Sequence, residues 1–575
     1  MTLRPRSSAA RRILAAAVWL SVCGACLAAS RPAERARSAM VAGPEPLAVE
    51  AGLAVLREGG NAVDAAVTMG FTLAVTLPQA GNLGGGGYLL MRAPNGTADF
   101  IDFRETAPAA ARREMFLDPN GEVIPKESTE TWRASGVPGT VAGLSLALRK
   151  HGTISMARAL KPAVRLARDG FVIDRGLERA LAAHAQRLAA WPSTRAIFFR
   201  NDKPLQQGDT LTQKDLGMTL SRISKAGAGA LYSGDLAQAL EREMKAHGGL
   251  ITVADMAAYR PIERAPLAGS YRGYGILSAP PSSSGGVGLL QMLAMLEPRQ
   301  PASLGPASAA YVHLVSEAAK RAYADRARWL GDPAFFKVPV ARLLAPAYTA
   351  HMMAGFDTER ATPAAAAGPG DPLAGEGAQT THYSIVDASG MAVSVSVTLN
   401  DSFGCGAVAG SLGFLLNNEM DDFAARPGAP NLYGLVGGEA NGIAPGKRML
   451  SSMTPTIVTR RDPGGAEKLL LVLGTPGGAT IITTVLQVFL NVVEFDMELQ
   501  AAVDAPRFHH QWLPDVLQLD AGGFPSDVVE ALRRKGHVVE TRPLRGDVQA
   551  IQRDADGSWL RGASDARGYG VARGY

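Results

Sequence analysis

At Thr380 the character of this chain changes within one residue. Residues 362–379 read TPAAAAGPGDPLAGEGAQ, a Gly/Pro/Ala-rich linker with no apolar face to bury, which is expected to be mobile or exposed. Residues 380–387 then read as a strand, Asp387-Ala388-Ser389-Gly390 as a tight turn, and 391–398 as a second strand. The second strand alternates strictly: Met391, Val393, Val395 and Val397 face one way, and Ala392, Ser394, Ser396 and Thr398 the other. With Ala388-Ser389 as a two-residue loop, Asp387 pairs with Gly390. Counting back puts Thr380 opposite Val397, with Thr398 adjacent, to within a residue or two. Two threonine hydroxyls are thus expected together at the open end of a buried hairpin, directly behind a segment that cannot join it.

The N-terminus is read separately. Arg4, Arg6, Arg11 and Arg12 precede an apolar, small-residue stretch from Ile13 to Ala29 that ends Ala-Cys-Leu-Ala-Ala-Ser. This is the pattern of a secretory signal peptide cleaved near Ala28 or Ala29. The apolar run is short for a membrane span of about 20 residues and breaks at Gly24. Export to the periplasm is the expectation. A lipoprotein with Cys26 as the lipidated residue is an alternative, although Cys23 at the third position upstream fits that signal poorly.

The formal charge of +5 falls to about +1 without these arginines, which leaves no strong electrostatic bias toward nucleic acid or anionic membranes. Of the 3 cysteines, only Cys405 lies outside the signal. One thiol can make neither an internal disulfide nor a multi-cysteine metal site. His509 and His510 are adjacent and point in different directions, so they read as core or hydrogen-bonding histidines rather than metal ligands. Gly442 to Lys447-Arg448 has the wrong glycine spacing for a phosphate loop, and no G-x-S-x-G elbow or H-E-x-x-H motif exists. No metal and no cofactor are expected.

Elsewhere the pattern is mixed α/β. Residues 46–58 have apolar side chains at helical spacing and stop at Gly59-Gly60. Asn61 is an N-cap for a helix running to about Leu77. Gly84 to Gly87 leads into strand 88–92. Asn95-Gly96 predicts a type I′ turn, and strand 99–104 returns, carrying Arg104 at its end. Residues 135–354 read mainly as helices and loops, including a Pro-Pro-Ser-Ser-Ser-Gly-Gly loop from Pro280 to Gly286. Strand 469–473 runs into Gly474-Thr-Pro-Gly-Gly478 and a helix from Thr480 to about Val493. Strands 548–553 and 558–561 flank a turn. Length alone suggests three or four domains of roughly 150 residues each. There is no internal repeat with a fixed period, and one interwoven α/β unit is expected instead, on the family resemblance given below.

A threonine hydroxyl is a poor nucleophile without a base. An N-terminal threonine carries its own, because an α-amine with a pKa near about 7.7–8.0 is substantially neutral at working pH. Thr-Thr at a strand start is by itself only a β-former. Gly477 and Gly478 at a helix N-terminus present two backbone N–H groups suited to an oxyanion hole, or form a simple tight turn. Ser451, Ser452, Asn400, Glu419 and Asp422 are short polar groups in an otherwise apolar half, each equally readable as a turn or cap residue.

Together these segments resemble a known family. Thr380-Thr-His-Tyr-Ser384, Leu415-Leu-Asn-Asn-Glu-Met-Asp-Asp-Phe423, Leu450-Ser-Ser-Met-Thr-Pro455 and Gly474-Thr-Pro-Gly-Gly478 are similar to motifs of the γ-glutamyltranspeptidase (glutathione hydrolase) family. Gly59-Gly-Asn-Ala-Val-Asp-Ala-Ala66, Gly84-Gly-Gly-Gly87, Asp102-Phe-Arg-Glu105 and Val137-Pro-Gly-Thr-Val-Ala-Gly143 extend the match, which weakens after Asp565. The resemblance implies an N-terminal-nucleophile hydrolase fold, an αββα sandwich of two sheets between helical layers. It implies a precursor cut between Gln379 and Thr380 into a large subunit, 30–379, and a small catalytic subunit, 380–575, that stay together as a heterodimer. It implies Thr380 as nucleophile in self-cleavage and turnover, Thr398 hydrogen-bonded to it, and Gly477 and Gly478 as oxyanion donors. By the same resemblance Arg104, with Ser451 and Ser452, takes the α-carboxylate of a γ-glutamyl group, and Asn400, Glu419 and Asp422 take its α-ammonium. Tyr433 sits in the segment 426–438 that is similar to a lid loop. The partners implied are γ-glutamyl compounds, with glutathione the default, and amino acid or peptide acceptors. Cephalosporin acylases share the fold but take glutaryl groups, and an inactive secreted binding protein is the alternative from another class.

Overall fold

The structure, a computed structural model, describes residues 31–368, 380–544 and 546–575. The signal-peptide reading and residues 369–379, which end at the expected cleavage point, lie outside the described residues.

Two seven-stranded antiparallel sheets form the centre. In one the strands run in the order Val571–Gly574, Met40–Gly43, Thr380–Val386, Ala392–Thr398, Gly86–Arg92, Ala98–Asp102, Ile262–Arg264. In the other the order is Glu34–Ala36, Leu560–Ser564, Gln549–Arg553, Glu467–Gly474, Thr456–Arg461, Tyr274–Ser278, Leu267–Tyr271. Each sheet interleaves strands from before and after Thr380, so no cut at that point separates two independent halves. The expected αββα layering holds, and the alternation of the threonine hairpin shows why. Val393, Val395 and Val397 pack outward into one core with helices Pro46–Arg57, Ala62–Thr76 and Thr140–His151. Ala392 faces inward, into a second core shared with the other sheet and with helices Gly285–Leu296, Ala309–Trp329 and Ile481–Val493. No helix among the described residues is long and apolar enough to cross a membrane.

Local signals set the elements. Asn61 and Asp64 form a reciprocal capping box, each side chain accepting the other's backbone N–H at 2.9 Å. The helix they start is buried along its whole length. The C-terminal strand is not marginal: Val571–Gly574 pairs with Met40–Gly43.

Four expectations need correcting. Thr380 lies opposite Thr398, not Val397, because the turn holds one residue more than a two-residue loop: Asp387 N–H donates to Met391 O at 3.1 Å and Gly390 takes a φ of 88°. Asn95-Gly96 is not a type I′ turn. Only Gly96 has positive φ, since Pro94 fixes a right-handed start and the chain closes from Ala93 to Thr97. Strands Ile262–Arg264, Leu267–Tyr271 and Tyr274–Ser278 interrupt the region read as helical; the first two are sheet edges, the third lies just inside the second, and all three are short, partly exposed and weak in apolar signal. The start of the linker is docked rather than free. Thr362 N–H donates to Glu317 at 3.1 Å, Ala364 is 4% exposed, and the Trp512 indole N–H donates to Ala364 O at 2.9 Å. Alanines carry little apolar signal, yet one methyl and two backbone groups suffice to dock a turn.

Candidate active site

Thr380 begins an inner strand, and the cross-strand register fixes its partner. Its hydroxyl donates toward the Thr398 hydroxyl at 3.5 Å. Thr398 Oγ1 also accepts the Asn400 N–H at 2.8 Å. That bond needs Asn400 at φ 72°, a left-handed conformation that asparagine tolerates better than most residues. The Asn400 amide donates to Asn418 O at 3.0 Å, and the Tyr433 hydroxyl donates to Asn400 O at 2.6 Å. Tyr433 therefore closes this side, as a lid residue would. The loop's own turn holds it there, with Asn431 Oδ1 accepting the Tyr433 N–H at 2.9 Å.

Arg104, 1% exposed, lies among three carboxyl groups. Nη1 is 2.5 Å from Glu419 and 3.5 Å from Glu105, and Nη2 pairs with Asp422. Nε donates to Met449 O at 3.2 Å. The Pro280–Gly286 loop and helix Ala309–Trp329 hold the opposite wall. Ser284 N–H donates to Ser451 O at 2.8 Å, and Arg326 reaches Ser284 Oγ at 3.0 Å and Ser452 Oγ at 3.3 Å. Glu105 and Arg326 are site residues that the sequence reading missed. Glu105 sits beside Arg104 in a quoted motif and could have been found there. Arg326 lies in a long helix that gives no such signal.

The electrostatics follow from burial. Burial pushes the Glu105 carboxyl well above its usual range, and the Glu419 charge adds to this against the pull of Arg104. Burial pushes Glu419 up to about 7 while Arg104 pulls it down, Asp422 pushes it up and the Thr398 hydroxyl pulls it down. Asp422 is likewise raised by burial, against the pull of Arg104 and Arg326. Three carboxyls around two guanidinium groups cannot all ionise cheaply in a dry site. Glu105, at 3.5 Å, is the farthest of the three from the Arg104 guanidinium.

Gly474-Thr-Pro-Gly-Gly478 ends its strand where expected. Gly477 and Gly478 have φ of 141° and 57°, and a short 3₁₀ turn, Gly478–Thr480, leads into helix Ile481–Val493. Among the described residues neither glycine N–H has a backbone acceptor. Arg104, Thr380, Thr398, Asn400, Asp422, Tyr433, Ser451, Ser452 and Gly478 line one small pocket. Glu419 meets it through Arg104. Gly477 instead lines the adjoining cleft. The pocket thus brings together a hydroxyl, the Gly478 turn, a fixed cation and carboxyl acceptors, the groups that an amino acid head group with a carbonyl to be attacked would need. His509 and His510, as expected, are buried hydrogen-bonding side chains, paired with Thr483 and Asp515.

Comparison with known proteins agrees with this geometry. The family model described as Gamma-glutamyltranspeptidase matches residues 48–575, through the last strand. The chain is 48% identical over 534 residues to a glutathione hydrolase proenzyme of Escherichia coli (strain K12), covering 93% of this chain and 91% of that protein. The crystal structure of cephalosporin acylase from Bacillus halodurans superposes with a TM-score of 0.83 at 25% identity, over 100% of this chain and 99% of the other. That of Helicobacter pylori gamma-glutamyltranspeptidase matches 55% of this chain and 91% of its own at 43% identity, with a TM-score of 0.55. A family match that spans nearly the whole described body, motif by motif in order, leaves one conclusion: the chain belongs to the γ-glutamyltranspeptidase family.

Proposed function

We propose that the protein is a glutathione hydrolase and γ-glutamyltransferase, made as a proenzyme, that works through a γ-glutamyl ester on Thr380. In the precursor the Thr380 hydroxyl attacks the Gln379 carbonyl. The C–N bond breaks as the ester forms, the hydroxyl proton passes to the Thr380 amine freed in that step, and water then cleaves the ester to release the Gln379 carboxylate and restore the Thr380 hydroxyl. In turnover that amine takes the hydroxyl proton, Oγ attacks the γ-carbonyl, and the oxyanion rests on the Gly477 and Gly478 N–H groups. Collapse expels the amine half, protonated by the Thr380 ammonium. Water or an acceptor amine then cleaves the ester. Thr398 orients the nucleophile. The steps use only groups of the chain itself.

The observation that carries this reading is the paired Arg104 cluster. A γ-glutamyl head group brings its own carboxylate and its own ammonium. The carboxylate joins Arg104, Ser451 and Ser452 while Glu419, Asp422 and Asn400 turn to the ammonium, so the buried charge stays balanced. A glutaryl group brings a carboxylate with no cation into a site that already holds three carboxyls around two guanidinium groups. This favours γ-glutamyl over glutaryl donors and argues against the acylase reading. An intact nucleophile and oxyanion turn argue against an inactive binding protein.

The E. coli relative's designation as a proenzyme supports cleavage into a large chain ending at Gln379 and a small chain, 380–575. Because both sheets mix strands from the two parts, the halves stay associated after the cut. The basic, then apolar, N-terminus supports export to the periplasm with a mature start near Ala29 or Ser30. One experiment tests the core of this: rates on γ-glutamyl and glutaryl anilides with the same purified protein. Strong preference for γ-glutamyl is expected, and equal rates would sink it.

A further inference from the structure

Arg326 is a guanidinium of unusual standing. It is 5% exposed, and among the described residues no carboxylate comes within ion-pair distance of it. Arg104, by contrast, meets three carboxyl groups. Burying a charge without an ionic partner is costly, so an arginine kept in this state needs a specific task. Burial weakens its hold on the proton and the Asp422 charge opposes this, but a guanidinium stays charged all the same. Arg326 does not line the threonine pocket itself; its bonds go to the wall behind it.

An arginine can only donate, so each of its partners accepts. Nε donates to Ser284 Oγ at 3.0 Å, and Nη2 donates to Ser452 Oγ at 3.3 Å. Ser284 is a firm anchor for the first bond, because its own hydroxyl donates to Ser451 O at 2.6 Å and its N–H to the same oxygen at 2.8 Å. The guanidinium is thereby aimed at Ser452. The Ser452 hydroxyl is then used as an acceptor from the protein side, and its own proton has no acceptor among the described residues. Ser451 Oγ is in the same condition by another route, accepting the Met453 N–H at 3.0 Å. Both serines line the pocket beside Arg104. The helix that carries Arg326 is itself tied to the site. Tyr323, three residues earlier on the same helix face, donates to Ala479 O next to the glycine turn.

Resting on the γ-glutamyl reading above, we infer that Arg326 is a positioning residue for donor recognition: by holding Ser452 Oγ as an acceptor, it turns the Ser452 hydroxyl proton into the pocket, toward the α-carboxylate of the donor. A serine hydroxyl rotates freely and can offer either a proton or a lone pair. A lone pair facing a carboxylate repels it. The Arg326 bond removes that choice before the donor arrives, so the hydroxyl is pre-organised as a donor. The guanidinium also places a second positive charge behind the carboxylate end of the pocket, one hydroxyl away from it. Lysine cannot do the same work in full. Its ammonium is a point donor on a flexible stem, without the planar fork that reaches Ser284 and Ser452 together. The role concerns the α-carboxylate alone, so it should be felt only by donors that carry one.

The test is a double-mutant cycle of Arg326→Gln and Ser452→Ala with a γ-glutamyl anilide as donor. Each single change should raise the donor KM about tenfold, the scale of one charge-assisted hydrogen bond, and leave kcat within about threefold. Because Arg326 acts through Ser452, the double variant should be no worse than the poorer single one. Arg326→Lys should recover part of the loss. 4-Aminobutyryl anilide lacks only the α-carboxylate, and its KM should not move in Arg326→Gln. Self-cleavage before Thr380 involves no α-carboxylate, so the variants should still separate into two chains, which reports folding apart from turnover. Losses that multiply to about a hundredfold in the double variant, or equal losses on both donors, would overturn the assignment. So would Arg326→Gln and Arg326→Lys both remaining uncut, which would make the role structural. A wild-type protein inert toward γ-glutamyl anilides would sink the function proposed above. An active wild type with independent losses in the cycle would overturn the role of Arg326 and leave that function standing.

Discussion

Thr380 and Thr398 are direct cross-strand partners whose hydroxyls stand 3.5 Å apart at the mouth of the inner hairpin. Thr398 already accepts the Asn400 N–H, and its hydroxyl faces Glu419. It therefore links the nucleophile to the carboxyl–guanidinium cluster without being a base itself. Thr398→Val keeps the β-branched shape but removes the hydroxyl. It should lower kcat by about 10–100-fold with little change in donor KM, in line with losing one orienting hydrogen bond near the reacting atoms. Thr398→Ser should keep most activity. Steady-state kinetics on a γ-glutamyl anilide checks this, and a Val variant as active as wild type would remove Thr398 from the mechanism.

Arg104 is the residue on which donor choice turns. Breaking a buried, multiply paired charge costs about 3–5 kcal/mol, so Arg104→Ala should lose about two to four orders of magnitude in kcat/KM on γ-glutamyl donors. The same change frees Glu419 and Asp422 to repel any carboxylate, so glutaryl activity should not emerge in compensation. Parallel rates on both donor types decide this.

How far could this have been read from the sequence? The residues to which the family resemblance assigns the nucleophile, oxyanion and head-group roles lie in contiguous motifs, and the structure gathers Thr380, Thr398, Arg104, Asn400, Asp422, Ser451, Ser452 and Gly478 around one pocket, although each alone reads no differently from a strand, turn or cap residue. The hairpin register was missed by one residue because Gly390 in a left-handed conformation adds a residue to the turn, and a glycine there is compatible with either loop length. Arg326 was invisible for a different reason. It comes from helix Ala309–Trp329, and nothing near it in the chain says that it will reach Ser452. The edge strand Leu267–Tyr271 and its neighbour Tyr274–Ser278 are partly exposed and glycine-interrupted, so their membership of a sheet is decided by tertiary pairing alone.

The carboxyl cluster predicts a pH profile with a definite sign. Glu419, raised by burial to about 7, must be ionised to receive a substrate ammonium. The Thr380 α-amine, expected near about 7.7–8.0, must be neutral to act as base. Both requirements favour high pH. Log kcat/KM should rise with a slope near about two well below pH 7 and level off above about 8. Glu419→Gln should lower the plateau and reduce the acid-side slope to about one. A slope of one in the wild type would mean that Glu419 does not titrate in this range.

The docked start of the linker predicts an acid-sensitive anchor. Burial pushes the Glu317 carboxyl up, but Lys320, Thr362 and Arg321 outweigh it and hold it down to about 2. A carboxyl depressed in the folded state stabilises the fold fully above its unfolded value near 4.5 and loses that contribution as pH falls through about 2. The shift corresponds to about 3 kcal/mol at neutral pH. Glu317→Gln should lower Tm at pH 7, and the gap from wild type should shrink below about pH 4. A constant gap across this range would assign the loss to packing instead of charge.

Self-cleavage is the prediction on which the rest depends. Residues 362–364 are pinned to Glu317, Asp515 and Trp512, and Thr380 is fixed in its sheet opposite Thr398. Thr380 directly follows the Gln379 carbonyl in the chain, and it shares its pocket with Gly478 of the glycine turn. The wild-type protein should run as two chains under denaturing conditions, the smaller beginning at Thr380. Native mass should still report one particle, because each sheet is built from strands of both chains. Thr380→Ala should remain one inactive chain, and Thr380→Ser should cleave and turn over more slowly. N-terminal sequencing of the small chain decides the assignment. Any first residue other than Thr380, or γ-glutamyl hydrolysis by the uncut Thr380→Ala protein, means that the nucleophile lies elsewhere.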